Sequence, residues 1–178
     1  MILKELIDLK DDGSFRLNMK YFNFATGLTM TNEKFANLFG QKVRDPKHDL
    51  LTQFHMDIAA SIQAVTEEIV LRLASSIHKE TKINNLCMAG GVALNCVANG
   101  KILKKNIFKN IWIQPAAGDA GGSLGAALAF WYEELKNKRT PAKKDEMKGS
   151  YLGPCFNNNQ IEKTLKSLKA NYDKESEE

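Results

Sequence analysis

The sequence predicts an α/β fold: a mainly parallel sheet with helices packed on it, preceded by an N-terminal β-hairpin. Three observations carry this reading. Short apolar runs alternate with helical patterns from residue 85 to 136, the rhythm of parallel strands joined by helices. A long apolar series at steps of three and four precedes them, the mark of one helical face. Asp-Gly lies between two short apolar runs near the start, a strong tight-turn signal. The composition permits such a fold: of 178 residues, 43% are hydrophobic and 26% charged, which excludes wholesale disorder.

Residues 2–9 and 14–19 read as the hairpin strands, with Asp11-Asp12-Gly13 as the turn. Thr31 is expected to cap a short helix through Phe39, which Gly40 closes. Leu51, Phe54, Ile58, Ile62, Val65, Ile69, Leu73 and Ile77 then mark a helix from Asp49 to Lys79. Gln53, Glu67, Glu68 and Arg72 are placed on its wetter sides. Residues 85–89 read as a buried strand, Val92 to Lys104 as a helix, 110–114 as a second strand and Ala120 to Lys136 as a third substantial helix. Trp112 and Trp131 read as core or half-buried anchors.

The expected organisation is a main part over 1–136, a polar linker over 137–150, and a short segment over 151–178 with YLGPCF (151–156) and a helix near 159–170. Two apolar patches in such a segment bury little core by themselves. The charged end, Lys174 to Glu178, is expected to fray.

Several function classes are disfavoured. The apolar stretch Ile111 to Tyr132 holds Gln114, Pro115, Asp119 and four glycines, so no membrane-spanning helix is expected. Four acidic groups within Met1–Asp12 do not suit a secretory signal. A net charge of +4 is too thin to argue for nucleic acid; residues 138–148, with five basic and two acidic groups, read as solvated linker. Cys87, Cys96 and Cys155 form no zinc spacing and suit a reducing cytoplasm, with Cys87 and Cys96 as small core side chains. His48, His55 and His78 do not make a metal site by spacing; His55 is expected to cap, pack or hydrogen-bond near the head of the long helix.

The chemistry concentrates in two glycine clusters, each where a strand should turn into a helix. In the first, Gly90, Gly91 and Val92 lead to Asn95, placed one turn into the new helix, where it could donate to a phosphate or ribose. In the second, Gly118 and Asp119 precede Gly121 and Gly122. Glycines admit a ligand close to the backbone, and a helix start offers unpaired N–H groups to an anion. The same residues also serve a plain tight turn, and Asp119 a plain N-cap. Neither cluster is a Walker loop or a GxGxxG fingerprint. Two such turns would meet in one crevice outside the strand ends, where α/β sheets bind ligands.

HMDIAASIQAVTEEIVLRLA (55–74), LCMAGGVALNCVANGKIL (86–103) and WIQPAAGDAGGSLGAAL (112–128) together resemble the O-carbamoyltransferases of antibiotic and nodulation-factor biosynthesis. DDGSFRLN (11–18) and YLGPCF (151–156) fit the same family in order.

The resemblance implies the second half of an actin-like (ribonuclease H-like) transfer domain, similar to the tRNA threonylcarbamoyltransferases, with YLGPCF opening a carbamoyladenylate-forming domain. It implies that carbamoyl phosphate and ATP yield carbamoyladenylate, whose carbamoyl group passes to a hydroxyl of a small-molecule acceptor. By the same resemblance Gly90, Gly91, Val92 and Asn95 belong to the nucleotide loop and Gly118, Gly121 and Gly122 to its facing loop. Asp119 matches one ligand of a divalent metal, iron in similar proteins, whose histidines belong to a first half absent from these residues. His55 and Asp57 lie in a family motif without an assigned role, and the catalytic base is unassigned. The expectation is a cytoplasmic enzyme, inactive as these 178 residues alone. The alternatives are a threonylcarbamoyl-type transferase, a sugar-kinase-like enzyme, or a non-enzymatic nucleotide- or partner-binding module.

Overall fold

A computed structural model describes residues 1–175. The expected fraying of the last residues falls partly on 176–178, outside the described residues. By backbone contacts the chain forms two units, Met1–Leu128 and Ala129–Glu178.

The first unit opens with a five-residue π-helical turn, Ile2–Leu6, where a strand was expected. Ile2 and Leu6 stand four apart, are both buried, and pack with Tyr21, while Leu3 between them is half exposed. The four-residue spacing puts both on one face in a helical turn, as it would in a strand, so this burial pattern does not by itself decide between the two. The hairpin itself forms from β1 (Ile7–Leu9) and β2 (Phe15–Leu17), antiparallel, with Ile7 opposite Leu17. Its turn glycine, Gly13 (φ +89°), lies against the backbone of Arg72 and Leu73 with no room for a β-carbon.

Helix α1 spans Glu33–Phe39, and its cap is Asn32 rather than Thr31. Asn32 Oδ1 accepts the amides of Lys34 (3.0 Å) and Phe35 (3.3 Å). Thr31 is held extended in a bridge with Phe22, so the helix starts after it. Gly40 closes the helix as expected.

Helix α2, Gln53–Thr81, is the spine of the unit, about 44 Å long at 1.5 Å per residue. It starts four residues later than the sequence suggests. Asp49 is used instead in a turn, where its carboxylate accepts the Asp45 amide at 2.9 Å. Leu50 and Leu51 are largely exposed in consequence. Two small cores grip α2. One joins Val65 to Ile2, Leu6, Tyr21 and the phenylalanines of α1; the other joins Val70, Leu71 and Ala74 to Ile102, Phe108, Leu86 and Ile111. Burial therefore follows two patches, not one stripe: Ile69 is buried, but Ile62, Leu73 and Ile77 are exposed. Glu67, expected on a wet side, is buried as well.

Strands β3 (Asn85–Met88) and β4 (Asn110–Ile113) pair in parallel, Cys87 beside Trp112. Helix α3, Cys96–Lys104, crosses between them. One sheet face, with Leu86, Met88 and Ile111, packs on the second core. The other carries Cys87 and Trp112 outward, so Trp112 is 43% exposed. This alternation, a period of two, corrects the expectation of a buried Cys87. Cys96 is exposed too, at the start of α3.

Helix α4 runs Ala120–Ala129, shorter than expected, and a π-helical turn follows over Phe130–Glu134. Trp131 in that turn is 53% exposed, not an anchor of a core. In the second unit, residues 138–146 are exposed and without regular structure, and α5 spans Asn158–Ser167. No residue of this unit is buried among those described, as expected for so short an apolar complement.

Candidate functional site: two glycine turns at the ends of parallel strands

The two glycine clusters leave the carboxyl ends of adjacent parallel strands and are tied together there. The Gly90 amide donates to the Ala117 carbonyl at 2.7 Å, and the Gln114 amide to the Met88 carbonyl at 3.0 Å. The first bond links one turn directly to the other. Gly90 has φ +92° and ψ 158°, a conformation essentially reserved for glycine. It turns the chain out of β3 so that its own N–H points at the second turn.

The helix expected from Val92 does not begin there. Gly91–Leu94 form a 3-10 turn, Asn95 (φ −73°, ψ 89°) breaks it, and α3 starts at Cys96. Asn95 is thus a cap, not a residue one turn inside. Its Oδ1 accepts the Ala98 amide at 3.1 Å, the preferred use of asparagine at this position. Its side chain also meets Gln63 of α2: Asn95 Nδ2 donates to Gln63 Oε1 (2.9 Å), and Gln63 Nε2 donates to Asn95 Oδ1 (3.1 Å). Gln63 Nε2 further donates to Glu67 Oε1 at 2.8 Å, and Lys101 Nζ binds Glu67 Oε2. The Lys101 ammonium, and next the Gln63 amide, hold the Glu67 carboxyl below the usual carboxylate range.

The surfaces of the turns are open. A β-carbon on Gly90, Gly91, Gly118 or Gly122 would meet nothing within 4 Å among the described residues, so a ligand can approach the backbone at each. Gly91 and Val92 open the 3-10 turn, and their amides have no carbonyl within it to bind. Gly121 differs: a β-carbon there would collide with the Ala116 carbonyl oxygen, which assigns this glycine to the folding of its own turn.

Asp119 is exposed. Its carbonyl accepts the Gly122 amide at 3.0 Å, while its carboxylate makes no hydrogen bond among the described residues. It therefore does not serve as a side-chain cap. Among the described residues no group of three or more His, Cys, Asp or Glu side chains converges on a point that could hold a metal ion. One carboxylate does not fit an iron centre by itself.

His55 behaves as expected at the head of α2. Its Nδ1 accepts the Thr52 amide at 3.1 Å, which leaves the ring proton on Nε2. Asp57 accepts from Gln53 Nε2 at 2.7 Å. Neither residue contributes a hydrogen bond to the glycine turns among the described residues.

Sequence reasoning missed Gln63, Glu67 and Lys101. The available signal was a polar pair four residues apart in the middle of an apolar helix, which places both side chains on one face.

Comparison with known proteins agrees with the motifs. The family model described as "Carbamoyltransferase N-terminus" matches residues 1–128, the extent of the first unit. An uncharacterized protein of Synechocystis sp. is 61% identical over the whole chain, which covers 29% of that protein. Nodulation protein NolO of Bradyrhizobium diazoefficiens is 43% identical over 61% of the chain and 19% of its own length. Nodulation protein NolNO of Sinorhizobium fredii is 43% identical over 58% of the chain and 15% of its own length. The chain thus spans less than a third of the length of these relatives. With the matched region holding the hairpin, α2, both glycine turns and the strands that carry them, the chain belongs to the carbamoyltransferase N-terminus family.

Proposed function

We propose that the chain works as the carbamoyl-transfer part of a longer ATP-dependent O-carbamoyltransferase, with the two glycine turns holding the adenylate of carbamoyladenylate. The observation that supports this best is the Gly90–Ala117 hydrogen bond of 2.7 Å, which joins two open glycine turns at the carboxyl ends of parallel strands. The carboxyl ends of parallel strands are where α/β sheets take nucleotides.

In the proposed transfer, the acceptor hydroxyl oxygen bonds to the carbamoyl carbon. The bond from that carbon to the adenylate phosphate oxygen breaks, AMP leaves with the electron pair, and the hydroxyl proton passes to a base. The amides of Gly91 and Val92, without a carbonyl partner among the described residues, suit the phosphate, because backbone donors fixed before binding stabilise an anion without reorganising. The bare faces of Gly118 and Gly122 admit the flat part of the nucleotide. Asn95 shapes the end of the first turn; its amide is engaged by Gln63, so it acts on the ligand through the backbone it caps. If other parts of the longer protein complete a divalent-metal site, Asp119 would hold the ion with one carboxylate, and the ion would supply Lewis-acid chemistry there. The remaining ligands, the activating site for carbamoyl phosphate and the acceptor pocket are proposed to lie in other parts of the longer protein. The 178 residues alone are accordingly expected to show no turnover.

The test is calorimetric titration with ADP, wild type beside Gly91→Val. Saturable binding that the valine abolishes supports the cradle. Absence of binding in both this chain and the full-length 61%-identical relative overturns it.

A further inference from the structure

Behind the first glycine turn stands a polar chain that the proposed transfer does not use. Glu67 is 6% exposed and is the buried charged residue of the two cores' common helix. Its two oxygens bind Gln63 and Lys101, and Gln63 passes the contact on to Asn95. A carboxylate withdrawn from water is costly even when paired, and an apolar residue of similar size commonly packs as well or better. Stability alone therefore gives no reason for this chain to be polar. Its far end supplies one: it stops at the residue that ends the turn and caps α3.

A second contact reaches the same turn from one helical turn further along α3. Asn99 Nδ2 donates to the Ala93 carbonyl at 2.7 Å, and Ala93 is buried inside the 3-10 turn. Asn99 Oδ1 is buried and has no hydrogen-bond partner among the described residues, where the bond to Ala93 is what orients its amide. The turn is gripped at Ala93 and at Asn95, and only the second grip extends to α2.

We infer that Gln63, Glu67 and Lys101 are positioning residues for the first glycine turn: through the reciprocal Gln63–Asn95 amide pair they fix the cap at Asn95, and so the direction in which the Gly91 and Val92 amides face the ligand. None of the three touches the nucleotide. The inference rests on the cradle reading above and adds the residues that keep the cradle in shape.

The experiment is ADP titration of the full chain, or of the full-length relative if only that protein binds, in six forms: wild type, Gln63→Leu, Asn95→Ala, the double variant, Lys101→Met and Lys101→Arg. Urea unfolding accompanies each. Gln63→Leu is expected to weaken ADP binding about tenfold, and the double variant to add little to Asn95→Ala, the non-additivity of residues acting as one unit. Lys101→Met is expected to weaken binding by about the same factor, and Lys101→Arg to restore it to within about twofold, since arginine keeps the ion pair. If Gln63→Leu and Lys101→Met lower stability but leave ADP affinity unchanged, the chain only glues two helices together and the inference fails. Strict additivity of Gln63→Leu and Asn95→Ala overturns it too, and decides alone if Lys101→Met does not fold. No ADP binding by wild type in either protein is a different failure: it removes the cradle reading itself, and the inference with it.

Discussion

The side-chain amides of Gln63 and Asn95 exchange two hydrogen bonds, 2.9 and 3.1 Å long, between the middle of α2 and the first residue before α3. An asparagine cap usually satisfies only its own helix. Here the same Oδ1 that accepts the Ala98 amide also accepts from Gln63, so the start of α3 is registered against α2.

Cap and registration can be separated by substitution. Asn95→Asp keeps an oxygen for the Ala98 amide but loses the donor to Gln63. Asn95→Ala loses both. Loss of a cap costs about 1 kcal/mol, and an unpaired, partly buried amide adds about 1–2 kcal/mol. Urea unfolding is expected to rank wild type above Asp and Asp above Ala, with the alanine variant about 2–3 kcal/mol less stable. An Asn95→Asp variant as stable as wild type would show that Gln63 gains nothing from the Asn95 donor, and an aspartate variant no more stable than the alanine one would show that the cap contributes nothing.

Gly90→Ala tests the bond between the turns. At φ +92° and ψ 158° an alanine is strained by about 1–3 kcal/mol, although a β-carbon finds open space there. The expected result is a loss of that size in urea unfolding, with faster hydrogen exchange of the Gly122 amide in the second turn as the Gly90–Ala117 bond weakens. A variant as stable as wild type would mean that the turn relaxes to another conformation at no cost.

The sign of the pH effect at Glu67 follows from its depressed pKa. Lys101 and Gln63 favour its charged form in the folded state. The stability this contributes is present above the unfolded glutamate pKa and is lost as pH falls through the lower folded value. Lys101→Met removes the main cause of the depression. Its destabilisation relative to wild type is therefore expected to be full near pH 7 and to shrink below about pH 4. A difference that stays constant from pH 7 to pH 3 would show that the Lys101 ammonium does not favour the folded carboxylate.

Much of this arrangement was legible in the sequence, because the spacing signals were local. The Asp-Gly turn, the series from Phe54 to Ile77 and the two glycine clusters each declare themselves within a few residues, and β1–β2, α2 and the strand-end turns follow. What escaped was tertiary. Ile2 and Leu6 sit in a helical turn packed under Tyr21, a contact from outside the segment. Cys87 and Trp112 face outward because the second core takes the opposite side of β3 and β4. Glu67 reads as a solvent-side residue until Lys101, 34 positions away, supplies its counter-charge. Asn95 was singled out for its chemistry, but Gln63, which holds its amide, gave no signal apart from its spacing to Glu67.

Outward-facing thiols give a direct check of that sheet orientation. Cys87 and Cys96 are both exposed, one on the open face of β3 and one at the first residue of α3. An accessible thiol reacts readily with a disulfide reagent at pH 8, whereas a thiol in a packed core reacts only when the fold opens. Cys87→Ser and Cys96→Ser variants of the native chain, titrated with Ellman's reagent, are each expected to lose one fast-reacting equivalent. Trp112 lies beside Cys87 in the parallel register, so the reaction at Cys87 should also quench tryptophan fluorescence, and the Cys87→Ser variant should not show that quench. If Cys87 reacts only in denaturant, the Cys87–Trp112 face is covered in solution, and the two-stranded sheet is buried on both sides as parallel sheets ordinarily are.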